Sequence, residues 1–211
     1  MERKVLFVIP VYDSPINRDL LNDAISLIKK TVVMKKYKIM PIFNTGEGGF
    51  LKYANVGFKY AIKHNYDVVG LPDDCKWDPT QIGWLKKIQE LAYSDSNIAA
   101  VNTRISNKTL HKLDHTKIEV PVGYDLSYKK HSTLLKYGLI DENYRTCGDE
   151  IDFALQVYFA KQKLVSFNLN GYVNFGNEAT QRRSYGVETI NRFQKEAIIY
   201  RNKKWGFLDE N

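Results

Sequence analysis

An α/β fold, with a mostly parallel sheet covered by helices on both faces, is what this sequence predicts. Two observations carry that class. Four strand-like runs alternate with helical stripes through the first hundred residues, and the runs are short, apolar and closed by turn residues. Val5-Leu6-Phe7-Val8-Ile9 is the first strand, ended by Pro10. A helix follows with Leu20, Leu21, Ala24, Ile25 and Ile28 at helical spacing. Tyr37 to Phe43 is the second strand. The glycine-rich Thr45-Gly46-Glu47-Gly48-Gly49 then leads into a helix whose stripe is Phe50, Ala54, Phe58 and Ala61. Val68 to Leu71 reads as a third strand, the segment around Ile82, Leu85, Ile88 and Leu91 as a helix, and Asn97 to Thr103 as a fourth strand.

Beyond Thr103 the pattern loosens. Residues 104–135 are polar and turn-rich, with a weak strand signal at Lys117 to Val120. A helix is predicted from about Glu150 to Ala160, with Ile151, Ala154, Leu155 and Tyr158 as its inward stripe. Strand signals at Leu164 to Leu169 and Tyr172 to Phe175 precede a polar segment, and a last helix spans Val187 to about Lys203. There is no internal repeat and no linker long enough to separate independent domains, so one domain of two unequal halves is expected over residues 1–211.

Composition narrows the partners. Of 211 residues, 44% are hydrophobic and 26% charged, ordinary for a globular protein. No apolar stretch reaches membrane-spanning length, and Met1-Glu2-Arg3-Lys4-Val5 lacks the apolar core of a secretory signal, so a cytoplasmic location is expected (the host's, if the chain is viral). The net charge of +7 suits an anionic small molecule as well as a nucleic acid. The positive clusters, such as Lys35-Lys36-Lys38, do not alternate with aromatics as a base-stacking surface would, so no nucleic-acid partner is expected. Cys75 and Cys147 fit a reducing compartment, and His64, His111, His115 and His131 have no zinc spacing.

Chemistry concentrates at two acidic segments. Asp73 and Asp74 follow the third strand directly after Pro72. In an open α/β sheet, ligands collect past the carboxyl ends of strands, and two adjacent carboxylates persist most naturally beside a hard cation such as Mg²⁺ or Mn²⁺. Alone, the pair reads more readily as a turn whose carboxylates bond their own backbone. Gly148-Asp149-Glu150-Ile151-Asp152 places three carboxylates at a helix start, where the macrodipole favours acid but where a general base is also well held. The glycines at 46, 48 and 49 match no phosphate-loop spacing and read as a tight turn.

Six motifs in order resemble the GT-A-fold glycosyltransferases, most closely the large inverting family 2. They are Val8-Ile9-Pro10-Val11-Tyr12-Asp13, then Gly49-Phe50 through Ala54, Asn55 and Gly57 ("GF…A.N.G"), and Leu71-Pro72-Asp73-Asp74. Gly138 to Tyr144 ("G.fDE.f"), Gly148-Asp149-Glu150-Ile151-Asp152-Phe153 ("GED.DL") and Lys204-Trp205-Gly206 ("KWG") complete the set. The length and charge are also similar to those of chlorella-virus glycosyltransferase domains. The resemblance implies a GT-A-type three-layer sandwich, with a nucleotide-sugar half over about residues 1–103 and a smaller acceptor half over about 104–211. It further implies transfer of a sugar from a nucleoside diphosphate donor, such as UDP-glucose or UDP-rhamnose, to a glycan hydroxyl.

Carried over residue by residue, Asp74 would ligate Mn²⁺ or Mg²⁺, and Asp73 would reach the same ion or the ribose. Pro10, Val11, Tyr12, Asp13, Asn44 and Thr45 would flank the donor nucleotide, and Asp149 or Glu150 would deprotonate the acceptor. Three departures stand out. The family's Glu-Asp is Asp149-Glu150 here, Pro72 occupies the first acidic position, and Asn174 stands where relatives carry a metal-binding His. The last two keep open an alternative, a catalytically silent sugar-nucleotide or glycan-binding module; net charge alone motivates a third, a basic nucleic-acid binder.

Overall fold

The computed structural model describes residues 3–44, 49–144, 148–174 and 186–208. The first strand, β1 (Val5–Tyr12), pairs in parallel with β2 (Tyr37–Asn44) on one side and β3 (Asp67–Gly70) on the other. Helix α1 (Pro15–Thr31) crosses between β1 and β2, and α2 (Gly49–His64) between β2 and β3. Ser14 starts α1 by accepting the Asn17 N–H on its Oγ, with Pro15 at the first helical position, where no N–H is needed.

The other half of the sheet comes from β5 (Ile98–His111), β6 (Lys117–Lys129) and β7 (Lys163–Ser166). The strand order is β2-β1-β3-β6-β5-β7, with β6 antiparallel to both its neighbours and β7 parallel to β5. Three of the five pairings are therefore parallel. A separate two-stranded piece pairs β4 (Cys75–Lys76) with β8 (Val173–Asn174).

Period-two alternation along β1 sorts the layers. Val5, Phe7, Ile9 and Val11 pack on one face against Leu21, Ala24 and Ile28 of α1 and Leu85 and Ile88 of α3 (Trp84–Tyr93). Leu6 and Val8 pack on the other against Phe58 and Ala61 of α2 and Leu134 of α4 (His131–Tyr137). Each such side chain, fully buried, contributes about 1.5–3 kcal/mol. Further along, α5 (Asp149–Phe159) lays Ala154 and Leu155 onto Ile118, Val120 and Val122 of β6, and α6 (Val187–Trp205) is the last described helix. No helix among the described residues is long and apolar enough to cross a membrane.

Several boundaries differ from the sequence-based expectation. The fourth strand does not stop at Thr103 but runs to His111, and residues 104–135 are largely the two arms of a long hairpin followed by α4. The outer half of β5 alternates exposed and half-buried positions, so its apolar signal is diluted. Ile82 lies outside α3 and is 49% exposed; Gly83, at φ +74°, turns the chain into the helix behind it. Strand β3 takes in Asp67 and ends at Gly70, β7 ends at Ser166, and β8 begins at Val173 and is described to Asn174, with Phe175 outside the described residues.

Candidate active site

Strands β1 and β3 end side by side. The Leu71 N–H still donates to the Val8 carbonyl (3.1 Å), and Pro72, Asp73 and Asp74 then leave the sheet. Three contacts just downstream pin this turn. Cys75 pairs with Asn174, the buried Trp77 donates its indole N–H to Thr31 Oγ1 (3.2 Å), and the Asp78 N–H reaches the Asn170 carbonyl (3.0 Å). Asp73 is 6% exposed and Asp74 1%. Burial, and then the neighbouring Asp74 charge, push the Asp73 carboxyl up to about 7.

Oδ2 of Asp73 is buried and accepts no hydrogen bond among the described residues. An anionic oxygen left this way is costly, and a divalent cation is the partner that would relieve it. No group of three or more His, Cys, Asp or Glu residues able to hold a metal occurs among the described residues. Two carboxylates nonetheless suit an ion that completes its shell with water and substrate phosphate, as Mg²⁺ commonly does. Asn174 is brought opposite Cys75 by its backbone, while its side chain lies outside the described residues.

The residues expected at the nucleotide gather at the neighbouring strand ends. Tyr12 stands opposite Asn44, and the Asp13 N–H donates to the Asn44 carbonyl (3.0 Å). Asp13 accepts a hydrogen bond on Oδ1 from Arg18 Nε (2.7 Å), Arg18 Nη2 forms an ion pair with the same oxygen (2.7 Å), and the guanidinium lies over the Phe43 ring. Pro10 lines a cavity on the α2 side of this edge, whereas Val11 points into the core on the α1 side. Thr45 and the glycines at 46 and 48 fall outside the described residues.

The cavity has a volume of about 150 Å³. Pro10 and Pro72 form its wall toward the acidic pair, and its apolar sides include Phe50, Phe58, Leu139 and Phe153. Asp149 and Glu150 line it from the first turn of α5. Burial and the Glu150 charge push the Asp149 carboxyl well up, against a downward pull from Lys129. Lys129 is the cavity residue that sequence reasoning missed. Leu126 and Tyr128 of β6 face the α1–α3 core, so alternation turns Lys129 to the cavity. With β6 hidden in a polar stretch, no sequence signal marked it.

No family model matches the chain, and no curated protein matches it. Among solved structures, the chain superposes on a mannosyltransferase, PcManGT from Pyrobaculum calidifontis in complex with GDP-Man and Mn²⁺. The TM-score is 0.60 at 12% identity, over 96% of this chain and 65% of that one. The catalytic domain of Drosophila β1,4-galactosyltransferase 7, in complex with xylobiose, gives 0.56 at 12% identity over 92% and 81% of the two chains. The chain has the GT-A fold. A mutant of the same Drosophila enzyme, with manganese, UDP-Gal and xylobiose, gives 0.53 at 13% identity over 86% and 75%. The chain spans a little under two thirds of the mannosyltransferase's length.

Several GT-A motif residues have structural work in this chain. Asn55 is buried, donates to the Ile140 carbonyl (2.8 Å) and Glu142 (2.9 Å), and accepts the Ile140 N–H (2.9 Å). It clamps the "G.fDE.f" segment onto α2. A Cβ on Gly57 would stand 2.5 and 2.6 Å from the Val8 methyls, so this glycine lets α2 close on β1. The third acid of the "GED.DL"-like motif, Asp152, borders the cavity but is tied up by structural contacts. It is buried against the Tyr144 hydroxyl (3.0 Å), the Trp205 indole N–H (2.7 Å) and Lys204 Nζ (2.9 Å). "GED.DL" and "KWG" are thus two sides of one buried contact.

Proposed function

We propose that the chain is a metal-dependent glycosyltransferase. It moves a sugar from a nucleoside diphosphate donor, a UDP-sugar such as UDP-glucose or UDP-rhamnose, to a hydroxyl of a glycan acceptor, with inversion. The observation that carries the reading is the buried Asp73–Asp74 pair, with its orphaned oxygen, next to a cavity that holds a second acidic pair. The sugar nucleotides and manganese bound by the structures of the same fold support it. Residues 1–103 serve the donor and 104–211 the acceptor.

Asp73 and Asp74 would hold Mn²⁺ or Mg²⁺, with Asn174 as a further candidate. The bound ion supplies positive charge that stabilises the departing diphosphate. Tyr12, Asp13, Asn44 and Thr45, with Pro10 and the Val11 backbone, flank the nucleotide. In the cavity, Asp149 or Glu150 accepts the proton of the acceptor hydroxyl. The freed oxygen pair forms the new bond to the anomeric carbon, and the old carbon–oxygen bond breaks with its electrons on the diphosphate. The apolar walls at Phe50, Phe58 and Leu139 limit water near the reacting carbon, which restrains wasteful hydrolysis.

Thermal unfolding tests this. With Mn²⁺, a UDP-sugar at about one hundred times its Kd contributes about 2.7 kcal/mol, a rise in Tm of about 5–10 °C. EDTA should remove most of that rise. A shift that no nucleotide sugar produces, or one insensitive to EDTA, overturns metal-dependent donor binding.

A further inference from the structure

The charges around the cavity sort into two groups. Asp125 is engaged by Arg104 (3.1 Å), Asp141 by Lys204 (2.9 Å), and Asp152 by Lys204 and Trp205. The Tyr137 hydroxyl is hydrogen-bonded to Gln162. Lys129 of β6 and the hydrogen-bonded pair Asp149 and Glu150 of α5 line the same cavity, among apolar walls from α2, α4 and the 138–140 turn. The Lys129 ammonium is also fixed in place. It lies 3.9 Å from the centroid of Phe153 and 5.5 Å from that of Phe58, so two aromatic faces hold its stem and head.

We infer that Lys129 is the positioning residue for the catalytic base: its ammonium favours the ionised form of Asp149 and orients that carboxylate toward the acceptor hydroxyl. This rests on the glycosyl-transfer reading. In a pocket this apolar, an isolated carboxylate is held protonated and cannot take a proton; a fixed cation opposite it works against that. Burial pulls Lys129 itself down, to about 8, and the two carboxylates hold it up. A purely packing role would be met better by methionine, which fills the same space between the rings without desolvating a charge.

The carboxyl of Asp149 can be titrated by side-chain ¹³C NMR, assigned with Asp149→Asn, in the absence of donor and acceptor. In Lys129→Gln its pKa should rise by about one unit or more, a tenfold change in ionisation, and Lys129→Arg should restore it. Lys129→Met repeats the comparison if the glutamine variant does not fold. The acidic limb of kcat/KM for transfer should move upward with the NMR value and return with arginine. An Asp149 titration unchanged in Lys129→Gln and Lys129→Met overturns the inference, as does Lys129→Arg losing transfer while the Asp149 titration is restored, since lysine would then act as the base. The NMR shift without transfer from any nucleotide sugar sustains the Lys129–Asp149 pairing and removes the glycosyl-transfer reading instead.

Discussion

Asp149, Glu150 and Asp152 share one helical turn and all border the cavity, yet Asp152 alone is held by Tyr144, Trp205 and Lys204. Sequence shows the three carboxylates; only the fold distinguishes them, because Asp152 finds Lys204 from 52 residues away. Lys204 also grips Asp141. Burial pushes Asp141 up, but hydrogen bonds from Lys204, the Asn143 N–H and the Tyr200 hydroxyl outweigh it and leave the pKa at about 2. With the folded value depressed below the usual 3.8, that stability is present above pH 4 and is lost as pH falls toward 2. Lys204→Met should destabilise by about 3 kcal/mol at pH 7, since it strips the cation from two carboxylates. Urea melts should show the difference from wild type shrinking between pH 4 and 2; a pH-independent difference would argue against the ion pairs.

At the scale of elements, strands buried on both faces were legible and the half-exposed ones were not. Strand β1 announces itself because both of its faces meet helices. Strands β5 and β6 extend as a hairpin of alternating burial, and their polar outer positions imitate a loop. Lys129 was hidden for that reason, since it can be assigned to a cavity only once β6 is known to be a strand. Helix α2 shows the converse. Its "N.G" motif is visible by resemblance, while its cause, the Asn55 clamp and the Gly57 contact with Val8, is tertiary. Gly57→Ala should therefore destabilise by about 1–3 kcal/mol, because the new methyl must push α2 off the sheet. An unchanged denaturation midpoint would mean that the helix moves without loss.

Across the whole molecule, the α/β class and the three-layer arrangement followed from the order of apolar runs, and the ends of β1 and β3 converge where the sequence placed its acidic pair. Asn174 and Thr45 rest on resemblance; Asn174 is placed by its backbone alone, and Thr45 lies outside the described residues. The +7 charge fits a polyphosphate donor. The decisive measurement for metal-dependent sugar transfer is release of UDP from a UDP-sugar in the presence of Mn²⁺, compared between wild type and Asp74→Ala. Release should be abolished by EDTA and should fall at least about a hundredfold in Asp74→Ala, with the fold and melting transition retained. Equal release by wild type and Asp74→Ala, or release indifferent to EDTA, would contradict it.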